Sequence, residues 1–276
     1  MLSMIQKTAS KYFAITRAVA FATYKEWAAY RTHAMVSILV GPTYFLVQSF
    51  IWRSVLAAGS IGGFTLNQML TYFGITALLH YLTMDFADWN LQMLIHTGKF
   101  LTFALRPVSH IYFALSQKLG HRILGFLFEF LPVYLIFLFV FKINLFPARP
   151  FWSLLSLILG FLMVFFVNYS LGVTAFWLIK TSGIRRVFLL LRDICSGALF
   201  PLMLFPPILQ KALFILPFQF MSYVPARVFI GSYELAGLTL SIPAIVGLQA
   251  AATFIMGIAT VFFARAGMRR FTGVGV

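Results

Sequence analysis

The stretch CSGALFPLMLFPPILQKALFILPFQF, from Cys195 to Phe220, decides how this chain folds. It is apolar enough to lie in lipid, yet four prolines interrupt it, namely Pro201, Pro206, Pro207 and Pro217. Each proline lacks a backbone donor and clashes with the preceding turn, so one uninterrupted helix is excluded. Non-helical backbone at membrane depth is tolerated only where protein or a water-filled cavity satisfies its polar groups. The stretch therefore predicts a segment that enters a membrane and bends back.

The composition around that stretch is typical of an integral membrane protein. Of the 276 residues, 61 % are hydrophobic, 18 % are aromatic and only 10 % are charged. The single cysteine, Cys195, excludes an intramolecular disulfide. The net charge of +15 would suggest nucleic acid in a soluble protein, but basic residues beside spans orient a membrane protein. We therefore expect membrane lipids as partners, and no nucleic acid.

Apolar segments of span length predict one all-α polytopic membrane domain over residues 1–276. About 20 helical residues cross a hydrocarbon core of about 30 Å. Six transmembrane helices are predicted, at residues 33–58, 66–84, 118–141, 151–179, 187–205 and 242–263. Residues 1–32 predict a basic helix on the cytoplasmic membrane surface, and a loose basic tail is the alternative. The basic character of that segment also argues against a cleaved signal peptide.

The connections between these spans carry further predictions. Asp85 to His110 keeps apolar residues at helical intervals among charges, which predicts a short amphipathic helix outside the bilayer. Ile208 to Tyr233 predicts one or two short interfacial or re-entrant helices between spans five and six, broken at Pro217 and Pro225. A turn is predicted at Gly59–Gly63.

The distribution of basic residues predicts the orientation. With both termini cytoplasmic, sixteen of the 21 Lys and Arg residues fall in inner segments and five in outer segments. Positive charge accumulates on the cytoplasmic side of membrane proteins. The chain is therefore expected to be a multi-pass protein of the plasma (inner) membrane with both termini inside.

Motifs of nucleotide-binding and catalytic sites are missing from the sequence. The nearest match to a phosphate-binding loop, His96 to Phe100, lacks the earlier glycine and the following Ser or Thr. The sequence has no paired-His metalloprotease motif and no Gly-x-Ser-x-Gly elbow. We expect no catalytic residue, cofactor or metal on this chain.

Three segments resemble the membrane-spanning permease subunits of type-2 ABC exporters. The first is IHTGKFLTFALRP at Ile95 to Pro107, which is similar to the family's cytoplasmic coupling segment. The second is SGALFPLMLFPPILQKALFILPFQF at Ser196 to Phe220, with the family's succession of Ser-Gly, Pro, Phe-Pro and Leu-Pro-Phe. The third is KEWAAYRTHAMVSILVGP at Lys25 to Pro42, which resembles the entry to the first helix.

The resemblance implies a six-helix half-transporter that forms half of an export pathway. Its partners would be a second permease copy or a related permease, and two separate ATPase subunits that hold ATP and Mg. Two other classes stay open, a membrane-embedded enzyme that modifies lipids or glycans and a non-transporting assembly subunit. Only Asp85, Asp88 and His80 come near the convergent acids and histidines that such an enzyme needs.

The predicted coupling helix supplies the first set of site residues. Its expected ATPase-coupling residues are Asp85, Asp88, Asn90, Gln92, His96 and Lys99. The polar side chains are predicted to contact the ATPase, while Trp89, Leu91, Met93 and Leu94 pack on the spans. An ordinary solvated loop is the alternative. On this hypothesis, Asp88→Lys uncouples ATP hydrolysis from transport without preventing assembly.

An intramembrane acid and the proline-rich stretch supply the rest. Glu129 is the only acid well inside a predicted span, so it is expected to face a partner or a cavity rather than lipid. One interpretation is contact with a cationic substrate or a change of protonation during the transport cycle, and the other is a structural hydrogen bond near Pro132. An outer gate is predicted at Pro201, Phe205, Pro206, Pro207 and Pro217.

Overall fold

A computed structural model of the chain describes residues 2–29, 31–57, 65–106, 108–143, 145–178 and 181–271. Some predicted features lie outside these ranges. They are the turn at Gly59–Gly63, Pro107 at the end of the coupling segment, and the last residues of the spans at 33–58 and 151–179.

The described residues are mostly helical. In chain order the α-helices are α1 (Leu2–Ala29), α2 (Arg31–Leu56), α3 (Leu66–Thr83), α4 (Ala87–His96), α5 (Leu101–Ala104), α6 (His110–Gly125), α7 (Leu131–Phe139), α8 (Pro150–Val173), α9 (Ser182–Cys195), α10 (Pro207–Ile215), α11 (Tyr223–Ile230) and α12 (Ile242–Met268). The chain is helical where the N-terminal helix and the helix after Asp85 were predicted, as α1 and α4, and their positions at the membrane stay predictions.

Three helical runs within the described residues are long and apolar enough to cross a membrane. They are His110–Phe139, Pro150–Phe176 and Ile242–Met268, with 27 to 30 residues each. Since about 20 residues suffice, each run exceeds the thickness of a bilayer core. The chain is therefore built as a multi-pass helical membrane protein, and the number six stays a prediction.

The first of these runs contains a wider turn. A π-helical segment, Phe126–Phe130, joins α6 to α7, and Pro132 stands at the start of α7. Proline cannot donate to the helical ladder, and a π-turn is one way in which a helix absorbs the missing bond. The run His110–Phe139 covers most of the span predicted at residues 118–141, with Glu129 inside the π-turn.

The helix α9 is shorter than the fifth predicted span. It ends at Cys195, because Gly197 adopts the left-handed conformation at φ 82°, a common helix terminator. Tyr72 Oη donates to Gly197 O at 2.6 Å, and Tyr223 N donates to Ser196 O at 2.9 Å, so α3 and α11 hold this turn. The span predicted at residues 187–205 is therefore α-helical only up to Cys195.

The prolines after α9 divide the chain as predicted, with one exception. A 3-10 turn at Leu202–Leu204 follows Pro201, α10 begins at Pro207, and a 3-10 turn at Pro217–Phe220 separates α10 from α11. Pro225 does not break α11. It lies in the first turn, where the backbone N–H groups have no partner within the helix in any case.

A β-hairpin that the sequence did not predict follows α11. Its strands are β1 (Tyr233–Leu235) and β2 (Leu238–Leu240), paired antiparallel with Tyr233 opposite Leu240. The two turn residues, Ala236 and Gly237, both have positive φ, as a two-residue type I′ turn requires. Tyr223 Oη donates to Glu234 O at 2.6 Å and fixes the hairpin against α11.

The connecting segments gather at two ends of the helical body. At one end, Phe100 after α4 contacts Phe176 and Phe271, with ring centroids 5.2 Å apart in each pair. At the other end, Ala148 N donates to Phe229 O at 2.9 Å, which joins the loop before α8 to α11. The core between them is built on fully buried side chains such as Tyr72, Phe137 and Met163.

Candidate functional site

The helix α4 is held against the body by its polar face. Asp88 is fully buried and pairs with the Arg185 guanidinium of α9. Gln92 donates to Leu171 O at 3.3 Å and accepts a hydrogen bond from Thr181 Oγ1 at 3.1 Å. These bonds link α4 to the end of α8 and to the start of α9.

A glycine on α8 permits the close approach of α4. A Cβ atom at Gly172 would lie 3.1 Å from the Cα and the carbonyl oxygen of Asp88. A side chain at this position would push the backbone of α4 away by a few tenths of an ångström. The helix α4 is therefore packed tightly on the end of α8.

The orientation predicted for α4 is wrong for its acids and for Gln92. Asp85, Asp88 and Gln92 are buried, with exposed fractions of 7 %, 0 % and 5 %. Burial of a carboxylate requires a partner, and the partners come from α6 and α9, which lie far away in the sequence. Asn90 and His96 are half-buried, whereas Lys99 is exposed.

The outer face of α4 is apolar instead. Trp89 and Met93, which were predicted to pack on the spans, are 53 % and 43 % exposed. Leu91 is buried as predicted, and Leu94 is packed against the same small core. The exposed surface of this helix therefore consists of an indole and a thioether rather than carboxylates.

A buried polar cluster surrounds Asp85, between α3 and α4. Asp85 Oδ2 accepts a hydrogen bond from Ala87 N at 3.0 Å, and Lys118 Nζ lies 3.6 Å from Oδ1. Asn168 Nδ2 donates to Asp85 O at 3.0 Å, and Arg192 donates to Asn168 Oδ1 at 2.8 Å. Burial raises the pKa of the Asp85 carboxyl, and the nearby Lys118 opposes that change.

Two of these side chains form ion pairs. Lys118 is only 6 % exposed and pairs with Asp85. Arg192 Nη2 lies 2.7 Å from Asp193 Oδ1.

A cavity of about 330 Å³ lies beside the polar cluster. Side chains from α2, α3, α8 and α9 line it, among them Val40, Tyr44, Ala77, His80, Val164, Leu189, Arg192 and Asp193. His80 is exposed on its wall, and no hydrogen bond to its ring is found among the described residues. The cavity has the size and mostly apolar lining of a small-molecule site.

The helix α9 presents opposite faces to the cavity and to the outside. Arg185, Leu189, Arg192 and Asp193 line the cavity, at the spacing of one helix face. The other face is apolar and exposed, as Val187 at 60 % illustrates. A helix with its apolar face outward and its charges toward a cavity is what a lipid-facing wall requires.

Glu129 takes part in a separate buried hydrogen bond. It is 4 % exposed, and its Oε1 accepts from Ser37 Oγ of α2 at 2.7 Å. Glu129 is not among the residues that line the cavity. The structural hydrogen bond expected as one interpretation is present, and contact with a substrate stays untested.

A tyrosine inserts into α2 beside this acid, which the sequence reasoning missed. Gly41 N donates to Tyr81 Oη at 2.6 Å, and Tyr81 Oη donates to Ser37 O at 2.8 Å. The hydroxyl thus bridges Gly41 N and Ser37 O, which lie one helical turn apart in α2. The only signal in the sequence is the Gly41-Pro42 pair, which is typical of a kink but does not identify the partner.

The predicted gate residues lie around α10 and away from the cavity lining. Pro201 is buried, Phe205 and Pro217 are half-buried, and Pro206 and Pro207 are exposed. Gln210 donates to Met203 O at 2.9 Å and to Phe205 O at 2.7 Å, which satisfies the backbone that the prolines leave irregular. Nothing in this geometry tests a gate.

Within the described residues, no group of three or more His, Cys, Asp or Glu side chains could hold a metal ion. The charged groups near α4 are instead paired with one another. The arrangement joins a buried, ion-paired helix to the wall of a mostly apolar cavity.

Comparison with known proteins assigns this architecture to a family. No curated protein matches the chain. The model of the ABC-2 family transporter proteins matches residues 38–275, from the first predicted span to the C-terminus. This match and the long apolar helices support a membrane-embedded multi-pass protein. The chain belongs to the ABC-2 family of transporter proteins, as a membrane subunit of an ABC transporter.

Proposed function

We propose that the chain is the permease subunit of an ATP-driven exporter and forms half of its translocation pathway. The observation that carries the proposal is the family match over residues 38–275. The other half would be a second copy or a related permease. ATP and Mg would be bound by two separate ATPase subunits, so the chain itself would hydrolyse nothing.

The proposed topology has six spans and two cytoplasmic termini in the plasma (inner) membrane. The helices α2, α3, α8 and α12 and the run His110–Phe139 supply five of the spans. The helix α9 has 14 residues and is about 21 Å long, so the irregular chain up to Pro206 would complete the fifth. The bend at Pro206 would place α10 and α11 on the outer side of the membrane. The loop before α8, which bonds to α11, would lie on the same side.

The exposed face of α4 is the proposed docking surface for the ATPase. Trp89 and Met93 project from it, and Leu105 is 80 % exposed nearby. Aromatic and methionine side chains are enriched in the cores of protein interfaces, whereas the buried acids of α4 are out of reach of a partner. Asp88 and Gln92 would instead act inside the subunit, where they fix α4 to α8 and α9.

Such a link is what coupling requires. Closure of an ATPase dimer moves the spans only if the docked element is rigidly attached to them. When α4 moves, its ion pair to Arg185 pulls on α9, which forms a wall of the cavity. Motion at the ATPase would thus reach the cavity through one direct contact.

Co-purification with an ATPase tests this function. The tagged chain is isolated from its native membranes, and the bound proteins are assayed for MgATP hydrolysis. We expect an ATPase to be retained by the wild type and lost from Trp89→Asp, since a charge at the centre of an apolar interface opposes binding. Leu238→Asp is the matched control, because Leu238 is 50 % exposed on the distant hairpin. Absence of any bound ATPase from the wild type contradicts the proposal.

A further inference from the structure

The surface around α4 carries positive charge without matching negative charge. Three chain segments meet at this end of the molecule, at residues 85–110, 181–192 and 264–271. Their only acidic residues are Asp85 and Asp88. Both carboxylates are buried and form ion pairs within the subunit. These segments therefore expose no carboxylate to a partner, whereas several of their cations are exposed.

Two of the exposed cations lie at the C-terminal end of α4. Lys99 follows the helix by three residues and is exposed. Arg270 is exposed at the end of α12, directly before Phe271. The ring of Phe271 packs against that of Phe100, with centroids 5.2 Å apart. The end of α12 is thereby held beside the residue that follows Lys99.

Two further exposed cations lie beside α4 on other elements. Arg186 follows Arg185 in α9, and Arg185 pairs with Asp88 of α4. Arg106 follows α5, and its guanidinium carbon lies 4.4 Å from the centroid of the Phe103 ring. Within the described residues, none of these cations forms an ion pair. We call Lys99, Arg106, Arg186 and Arg270 the basic rim.

The basic rim accompanies an exposed apolar surface. Trp89 and Met93 of α4 are 53 % and 43 % exposed, and Leu105 is 80 % exposed. Protein interfaces commonly combine an apolar centre with a charged, solvent-accessible border. Charges at such a border steer the encounter and exclude partners of the same sign. Since no carboxylate alternates with these cations, the surface is complementary to an acidic partner.

We propose that the ATPase binds α4 in an apolar groove bordered by carboxylates, and that the basic rim steers it there. The inference rests on the proposed function and adds the charge of the partner's surface. The anionic inner leaflet attracts cations as well. A lipid surface does not require α4 to be fixed to the body, however, whereas an ATPase that moves the spans does.

Association kinetics test the proposal. The ATPase that the wild type retains on co-purification is separated and added back to the full-length permease in nanodiscs of phosphatidylcholine. Association and dissociation rates are measured by biolayer interferometry at about 0.05 M and about 0.3 M NaCl. We expect association with the wild type to slow on the order of tenfold at the higher salt concentration, because steering by exposed charges is screened.

Two charge-reversal double variants locate the effect. Lys99→Glu/Arg270→Glu is expected to slow association on the order of tenfold at low salt and to leave dissociation nearly unchanged, as changes of border charges do. Arg149→Glu/Lys211→Glu reverses one arginine and one lysine that are exposed at the other end of the molecule. This control is expected to associate at the rate of the wild type. All four positions are exposed, so both double variants should keep the Tm of the wild type.

Two results would overturn the proposal while the proposed function stands. The first is an ATPase that binds the wild type at a rate independent of salt. The second is equal association of Lys99→Glu/Arg270→Glu and the wild type. If that variant instead loses phosphatidylglycerol enriched around the wild type in mixed nanodiscs, the basic rim faces lipid. A wild type that retains no ATPase at either salt concentration contradicts the proposed function itself.

Discussion

At the scale of single residues, Asp88 shows how a charged side chain on an amphipathic helix can point inward. Its spacing within α4 is compatible with a solvent-facing role, and the sequence reasoning assigned it to the ATPase contact. Arg185, which neutralises it, is 97 positions away in the chain. Local periodicity contains no information about a partner at that separation, so the direction of the side chain could not be predicted.

The consequence of Asp88→Lys changes accordingly. A lysine at this position would place a buried cation against the half-buried Arg185, and the tight approach at Gly172 leaves little room for it to move away. Breaking a buried ion pair typically costs about 3–5 kcal/mol. We now expect the variant to lose folded protein, seen as a lowered Tm in detergent, rather than to assemble and uncouple.

Asn90→Lys is the control for that variant, because Asn90 lies on the same helix and is half-buried without a carboxylate contact. It should unfold close to the wild type. If Asp88→Lys also has the Tm of the wild type, the Asp88–Arg185 pair contributes nothing to the fold.

At the scale of elements, the sequence predicted the positions of irregular backbone better than the side chains that satisfy the polar groups there. The prolines from Pro201 to Pro217 were recognised, since a proline acts through its own backbone. Tyr81 and Gln210, which satisfy the freed polar groups, were not recognised. A single hydroxyl or amide becomes a partner only when the fold brings it to the break, so sequence spacing does not identify it.

The contact between Tyr81 and α2 leads to a prediction about Gly41. A Cβ atom at Gly41 would lie 2.6 Å from Tyr81 Cε2 and 2.7 Å from Tyr81 Oη. Tyr81 is itself buried and cannot move aside freely, so overpacking is expected to cost about 1–3 kcal/mol. Gly41→Ala should therefore lower the Tm, although alanine is normally the better helix former.

Gly247→Ala provides the matched comparison. Gly247 lies in α12, and a Cβ atom added there would meet nothing within 4 Å, so the same change should be neutral or stabilising by about 0.5–1 kcal/mol. Thermal unfolding of both variants in the same detergent measures the difference. Equal Tm values would show that the Tyr81 contact is not tight in the folded protein.

At the scale of the whole molecule, segments that are predicted to lie on the same side of the membrane contact each other. Phe100, Phe176 and Phe271, all near predicted inner segments, meet at one end. Ala148 and Phe229, from predicted outer segments, meet through a backbone bond. Span order and orientation can be predicted from apolar length and basic residues, because each acts locally along the chain, and both stay predictions. The cavity could not be predicted, since its lining comes from helices that only the tertiary fold brings together.

The six-span topology can be measured with single cysteines. Cys195 is the only cysteine, so Cys195→Ser provides the background. Lys99 and Leu238 are both exposed, one after α4 and one on β2. With six spans and cytoplasmic termini, a membrane-impermeant maleimide added to intact cells, or to spheroplasts where an outer envelope blocks access, should label Leu238→Cys at once. Lys99→Cys should react only after the membrane is permeabilised.

Labelling of Lys99→Cys alone from outside would reverse the orientation. Equal labelling of both before permeabilisation would place α4 and the hairpin on the same side of the membrane. The proposed topology has an odd number of spans between them and therefore predicts opposite sides.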